Sequence, residues 1–389
     1  MKIMLYEWDA FMQRDMEDVC TRLGIDYSVF WYPFIPKLTK EDPYFEKHFG
    51  RILADGGYDA VFSFNFKSVV AKCAKTAGIP YIAWVFDSPF GISEDKEILS
   101  YPTNYIFVFD RYVYRRLKQE GIETVYHLPL AVNLERLDAI QPDENDHEKY
   151  GADISFVGTL YGSTYADFAR QFPDYEKGMV DAVIEAQMKM YGGYYLDLFT
   201  EGELTQRLYR ILENPEGTYD SIFHESVQSL LCKEITRRER LMLLYILGEM
   251  GKVALYTNQS EDMLSHVENR GVIDSYTEVY KVYKTSKINL NISFKRIVEG
   301  IPLRCMDIMG AGGFLLSNYQ PELVENFEPG VECEVYESME DAAVKVQYYL
   351  THDTEREEIA RRGHEKMKQF TFEKQMKTMF EACGLPVGW

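Results

Sequence analysis

The chain contains no Cys-x-x-Cys pair. Its six cysteines (Cys20, Cys73, Cys232, Cys305, Cys333 and Cys383) are scattered, mostly inside apolar runs. That spacing indicates neither a structural zinc nor a disulfide framework, and suits small hydrophobic side chains instead. The seven histidines also lack metal-ligand spacing. Long apolar runs are missing too. Nothing approaches the roughly 18 consecutive apolar residues of a membrane span, and Met1 to Tyr6 turns polar by Glu7 to Asp9, too early for a signal peptide. Positive charge is scarce: 42 Lys and Arg stand against 62 Asp and Glu, a formal net charge of −20 over 389 residues. Such a chain repels phosphate backbones and anionic lipid, so neither nucleic acid nor a membrane surface is expected as a partner. The densest basic clusters, Lys37 to Lys40 and Arg237 to Arg240, read as solvated helix faces. No internal repeat or low-complexity segment interrupts the sequence. The expectation from these absences is a soluble, cytoplasmic protein.

What is present is alternation. Lys2 to Tyr6 reads as a strand, and Met12, Met16, Val19, Cys20 and Leu23 then recur at helical spacing until Gly24 stops the helix. Tyr27 to Tyr32, Ala60 to Phe64, Tyr81 to Val85, Tyr105 to Phe109 and Thr124 to Leu128 are further strands, with helices near 41–54, 67–77 and 111–119. Helix–strand alternation implies parallel strands joined by right-handed crossovers. The first such domain spans 1–137, and the polar stretch 138–152, containing Gln141 to Asp146, is expected to be a linker. A second α/β domain, 153–370, opens with the strand Asp153 to Val157. It carries a helical insert at about 164–250, and strands resume at Val253 to Tyr256, Val272 to Ser275, Ile288 to Ile292, Phe314 to Ser317 and Glu334 to Tyr336. Residues 371–389 form a C-terminal helix expected to pack back.

In open α/β sheets, ligands bind outside the carboxyl ends of the strands. The most informative segment in such a position runs from Glu299 to Gly313, just before the strand at Phe314. Pro302 suits the first turn of a helix, whose unpaired N–H groups and positive dipole end form an anion site fit for a diphosphate. Arg304 falls on that first turn, and guanidinium matches phosphate oxygens in bidentate fashion. Glu299 lies before the helix and Asp307 further along it, so one carboxylate can reach a sugar hydroxyl and the other a ribose. Gly310, Gly312 and Gly313 are also readable as a plain helix stop.

This segment resembles the carbohydrate-transferring GT-B enzymes. Their retaining members carry two Glu residues with seven residues between them around a Gly-Leu-Pro-like helix start, where this chain has Glu299 and Asp307. Gly300-Ile-Pro-Leu-Arg304 with Asp307-Ile-Met-Gly310 and Leu315 to Asn318 is more similar still to the CgeB-like (spore maturation protein B-like) glycosyltransferases, related to the family 1/4-type retaining enzymes. Asp153 to Tyr161, Tyr280 to Ile292 and Tyr126 to Asn133 are similar to other landmarks of that family. The resemblance spans both domains and fails over the insert.

It implies a GT-B fold: two Rossmann-like α/β domains facing a central cleft, donor in the C-terminal domain and acceptor facing the N-terminal one. It implies transfer from a nucleotide-diphosphate sugar, a UDP-sugar first, with retention and without a metal or other cofactor. The chain accordingly lacks the Asp-x-Asp pair that holds a divalent ion in the other major glycosyltransferase fold. By the same resemblance Arg304 and Lys295 bind the diphosphate, Glu299 with Gly300 the sugar, and Asp307 the ribose, with Asp in place of the second Glu and so a shorter reach. Gly158 and Thr159 let backbone approach the donor phosphates.

Other positions stay open. Tyr276 either stacks on the base or packs. Asp87, in Tyr81 to Pro89, is either a general base for the acceptor or a helix cap, and Trp84 beside it is an acceptor-side candidate. Asn65 is a similar candidate. Met188 to Tyr195 in the insert is the tyrosine-rich stretch most suited to an acceptor or partner surface. The expectation is therefore a glycosyltransferase whose acceptor is a glycan, a protein or a small molecule. The rivals are a nucleotide-sugar epimerase of the same fold and a catalytically silent nucleotide-sugar or partner-binding homologue. The sequence does not speak to oligomeric state.

Overall fold

The structure is a computed structural model that describes residues 1–32, 41–88, 90, 95–162, 165–196 and 227–388. Lys37 to Lys40, Pro89 and the 197–226 part of the expected insert lie outside the described residues. Two compact units emerge. The first comprises Met1–Leu137, Glu299–Met306 and Lys366–Trp389, and the second Asp138–Val298 and Asp307–Glu365.

The first unit holds β1 (Lys2–Glu7), β2 (Asp26–Trp31), β3 (Ala60–Phe64), β4 (Tyr81–Val85), β5 (Asn104–Val108) and β6 (Val125–His127). They form one parallel sheet in the order β2-β1-β3-β4-β5-β6. β3 and β4 are buried at every position, which is why they read as continuous apolar runs: helices cover both faces. The connecting helices start and stop where local chemistry directs. Asp42 accepts from the Phe45 N–H at the start of Pro43–Gly56, and Gly57 ends that helix at φ 61°. Phe45 and Phe49 from it pack on Tyr6 of β1. The helix Phe372–Ala382 belongs to this unit, with Phe372 edge-on to Trp84 at 5.6 Å and Gln375 donating to the Pro129 carbonyl. Trp84 is consequently 0% exposed, a core side chain rather than an acceptor contact.

The second unit holds β7 (Ile154–Val157), β8 (Val253–Tyr256), β9 (Glu268–Asn269), β10 (Ile288–Asn291), β11 (Leu315–Asn318) and β12 (Glu334–Tyr336), parallel, in the order β12-β11-β10-β7-β8-β9. Two expectations are corrected here. The supposed linker holds the helix Glu144–Tyr150, closed by a reciprocal Asp143–Asp146 capping box and tied to the helix Glu278–Thr285 by Lys281–Asp146 at 2.9 Å. Polar composition at a helix start had the look of a linker. The expected strand Val272 to Ser275 is absent: Gly271 sits at φ 78°, Val272 is 79% exposed, and Asp274 accepts the Tyr276 and Thr277 N–H groups in a turn. The short edge strand β9 precedes it instead. In the insert, the helices Asp174–Met188 and Val227–Gly248 share an apolar cluster that includes Phe168, Val180, Ile184, Leu231 and Ile235. Among the described residues no helix is long and apolar enough to cross a membrane.

Candidate functional site

In the second unit the chain runs from β7 outward through β8 and β9, then returns to the other side of β7 for β10, β11 and β12. The strand order reverses between β7 and β10, and a ligand crevice is expected outside the carboxyl ends of those two strands. Gly158, the first residue after β7, has φ 154°, a conformation L side chains rarely adopt, so its backbone is bare at the crevice. Thr159 Oγ1 donates to Gln259 Oε1 at 2.7 Å, and the Leu160 N–H reaches the same oxygen. Tyr161, also left-handed at φ 55°, stacks its ring on Phe294 beyond β10 at 4.9 Å.

The two loops are joined by Arg240 from the helix Val227–Gly248. Only 2% exposed, its guanidinium donates to the Thr159 carbonyl on one side and, from Nε at 3.2 Å and Nη2 at 2.6 Å, to the Ile292 carbonyl on the other. It also lies 4.8 Å from the Tyr161 ring centroid and 5.2 Å from that of Phe156. Its neighbour Glu239 is buried and paired with Lys295 Nζ at 2.6 Å. Burial raises the Glu239 carboxyl above its ordinary value, and the Lys295 charge opposes that shift. The run Arg237 to Arg240 is therefore not one solvated face: Glu239 and Arg240 are internal. A polar ladder holds the β10 end, with Asn291 donating to Ser293 and Ser317, and the Ser293 N–H donating to Asn318. Next to it a cavity of about 20 Å³, room for one water, is lined by Lys295, Asn318 and Gln320 and by Tyr191 to Tyr194. Within the expected tyrosine-rich surface, Tyr191 packs on Tyr336 and the Tyr194 hydroxyl accepts from Arg296 at 2.9 Å, while Tyr195 is exposed.

The helix foreseen after Pro302 runs Leu303–Gly310, with Arg304 half-buried on its first turn. Further along, Asp307 accepts from the Tyr280 hydroxyl at 3.2 Å. The glycines after it terminate it: Gly312 at φ 81° and Gly313 return N–H groups to the Met309 and Ile308 carbonyls, and a Cβ at Gly313 would meet the Tyr283 carbonyl oxygen at 2.6 Å. Glu299 and Gly300 belong with the first unit. The Glu299 carboxylate, 14% exposed, is held by Arg111 Nε at 2.9 Å and by Arg115, and its N–H bonds Asp110. Gly300 passes so close to Asp110 and Phe109 that a Cβ would lie 2.9 Å from their backbone. Tyr276 follows the Asp274 turn beyond the edge strand β9, away from the switch point of its own sheet.

The first unit has a switch point of its own, between β1 and β3. Two non-glycine residues in the left-handed region sit there, Asp9 (φ 66°) two residues after β1 and Asn65 (φ 56°) directly after β3. Such conformations cost about 1–3 kcal/mol each and persist where surrounding structure imposes them. Asn65 Oδ1 accepts the Phe86 and Asp87 N–H groups, and its Nδ2 donates to Asp87 Oδ2 at 2.7 Å. The described helix that follows, Lys96–Leu99, is capped by Asp95, so the described bonds of Asp87 make it a partner of Asn65 rather than a cap. Although its side chain reaches solvent, packing around it raises the Asp87 carboxyl above its usual value, against the Asn65 bond and the Lys67 charge. Trp8 lies parallel to Phe86 at 6.2 Å, with Lys67 Nζ 4.0 Å from the Trp8 ring centroid.

Arg240, Glu239 and Gln259 escaped the sequence reading. The available signal was an arginine one residue before the apolar series Leu241, Leu243, Leu244 and Leu247.

Residues 228–381 match the family model described as Glycosyl transferase-like. No curated protein matches the chain. Among solved structures, a glycosyltransferase from Rickettsia africae is 10% identical, covers 98% of this chain and 97% of its own, and superposes with a TM-score of 0.59. A sucrose-phosphate synthase from Thermosynechococcus elongatus is 11% identical, with 98% of each chain covered and the same TM-score of 0.59. The Anabaena protein HepE in complex with UDP-glucose is 10% identical over 99% of both chains, at a TM-score of 0.56. At these identities the likeness shows the fold, which is GT-B: two α/β units, each built on a parallel six-stranded sheet. The match over 228–381 supports a glycosyltransferase.

Proposed function

We propose that this protein is a glycosyltransferase that moves a sugar from a nucleotide-diphosphate sugar, a UDP-sugar first, to a glycan, protein or small-molecule acceptor. The observation that carries the reading is the β7–β10 strand-order reversal, where a crevice is expected and where buried Arg240 ties the loop that follows β7, begun by Gly158, to the loop that follows β10. Donor binding is assigned to Gly158, Thr159 and Lys295, to the helix start at Pro302 with Gly300 and Arg304, and to Asp307 for the ribose. Tyr276 is kept as a base contact. The helix terminus and Arg304 stabilise charge on the departing diphosphate, and such preorganised donors act most strongly as that charge develops. With retention, the leaving phosphate takes the acceptor proton, and Asp87, Asn65 and Trp8 orient the acceptor; with inversion, Asp87 itself is the base. Metal independence and retention rest on the resemblance to CgeB-like enzymes. A cytoplasmic location is proposed from the sequence, whose six scattered cysteines lack disulfide-framework spacing.

One observation favours the silent-homologue reading: the carboxylate of Glu299, the residue assigned to the sugar, is already paired with Arg111 and Arg115. A sugar hydroxyl must share or displace those partners.

The test is a thermal-shift panel of UDP, GDP, dTDP and their sugars without added metal, on native protein and on Arg304→Ala. A ligand at 100 times its Kd adds about 2.7 kcal/mol to the folded state. The expected result is one nucleotide class that raises the midpoint in native protein and not in the variant, with slow sugar release from that donor. Binding without any release supports the silent homologue, and no shift with any nucleotide removes the transferase reading.

A further inference from the structure

Away from the β7–β10 switch point, the second unit carries a half-open pocket of about 600 Å³ against the helices Tyr165–Ala169, Asp174–Met188 and Val227–Gly248. That volume lies within the roughly 300–1,000 Å³ typical of small-molecule sites. Its walls are ion pairs. Arg237 Nη2 meets both oxygens of Glu261 at 3.0 and 3.1 Å. Arg238 is paired with Glu234 at 2.7 Å and Asp181 at 3.5 Å, and its guanidinium lies 5.5 Å from the Tyr165 ring centroid. The Tyr165 hydroxyl donates to Asp181 at 2.7 Å. Ala166, Ala169 and Gly162 add small, uncharged surface.

The charge balance narrows the ligand. Among the described lining residues four are cationic (Arg170, Lys177, Arg237, Arg238) and three anionic (Asp181, Glu234, Glu261). A phosphate would find both inner guanidiniums matched to carboxylates, Arg170 held by Asp167 at 2.8 Å and three lining anions against it, with Lys177 left to favour it, and a cation would meet the arginines. A neutral polyol suits the wall. One hydroxyl donates to a carboxylate while accepting from the guanidinium beside it, and a sugar's C–H face can lie on the exposed small residues Gly162 and Ala166. We propose that this cavity is a saccharide-binding site separate from the nucleotide crevice, taking a neutral sugar chain.

Its position joins it to the crevice. Gly162 on its edge lies four residues after Gly158, and Arg237 and Arg238 directly precede Glu239 and Arg240 on one helix. Treating the bound sugar as part of an acceptor or product rests on the transferase reading; binding itself does not.

The experiment titrates the full-length protein, without nucleotide, with maltotriose, cellotriose and chitotriose, and separately with inorganic phosphate, by calorimetry and saturation-transfer NMR. Ala166→Trp fills the cavity from an exposed position, and Asp181→Asn removes one acceptor charge at constant shape. The expected result is that at least one trisaccharide binds and that each variant weakens it about tenfold or more, a loss well within reach of one misplaced polar contact. The Ala166→Trp melting midpoint and the UDP shifts of both variants stay at native values, and phosphate does not compete. The proposal is overturned if no trisaccharide binds, if binding survives both substitutions, or if phosphate displaces the sugar. Native protein that binds a trisaccharide but gives no nucleotide shift defeats the transferase reading and leaves this site standing.

Discussion

Replacing Arg240 probes the crevice most directly. Arg240→Met keeps the aliphatic stem but removes every donor to the Thr159 and Ile292 carbonyls. The buried Ile292 carbonyl left unpaired costs about 1–3 kcal/mol, and the part-buried Thr159 carbonyl costs less because water can reach it. The guanidinium contacts with Tyr161 and Phe156 add about 1 kcal/mol more, partly offset because a buried charge no longer needs to be desolvated. Against a typical stability of about 5–15 kcal/mol this is a large loss, and the variant is expected to fold with a midpoint lowered by several degrees. Arg240→Lys separates tethering from charge: an ammonium keeps the charge but, as a compact point charge, cannot bridge two carbonyls as a planar fork does. Its stability should fall between native and Met, while its nucleotide affinity falls close to that of Met because the loops are no longer joined. Urea unfolding and UDP titration on the three proteins decide the matter. If both variants unfold at the native midpoint and bind UDP with native affinity, the tether has no energetic role and the crevice argument fails with it.

Two further outcomes follow from buried and half-buried charge. Lys295→Met leaves Glu239 buried beside an apolar stem and should cost about 3–5 kcal/mol in chemical denaturation, whereas Lys295→Met combined with Glu239→Gln should recover much of it; equal losses in the single and double variants would contradict a pairing role. For Asp87, a folded-state value raised above the unfolded one means that the native state holds the proton more tightly, so the carboxyl's contribution weakens as pH rises from about 4 through the raised value. Asp87→Asn removes that dependence, so its midpoint should exceed the native one at pH 7 and converge with it near pH 4; a difference that stays constant with pH would show that Asp87 is not shifted by its surroundings.

The sequence by itself determined the class of fold, because the signals that set it are local. Period-two and continuous apolar runs mark strands, 3.6-residue spacing marks helices, and Asp42, Gly57 and Gly312 end or begin helices through bonds to their own neighbours. The helix after Pro302 and the glycine after β7 were legible for the same reason: each is a backbone property of a few adjacent residues. Val272 to Ser275 misled because two apolar residues, Val272 and Ile273, carry too little period to tell a strand from a turn, and Asp274 decided for the turn. Tertiary structure alone decided where charge goes. Nothing local separates Arg237 and Arg238, lining a cavity of paired ions, from Glu239 and Arg240, drawn inside to meet Lys295 and two loop carbonyls. Nothing local pairs Glu299 with Arg111 and Arg115, or shuts Trp84 under Phe372. A charged side chain is exposed by default because desolvation is costly, and only partners supplied from distant parts of the chain reverse that sign.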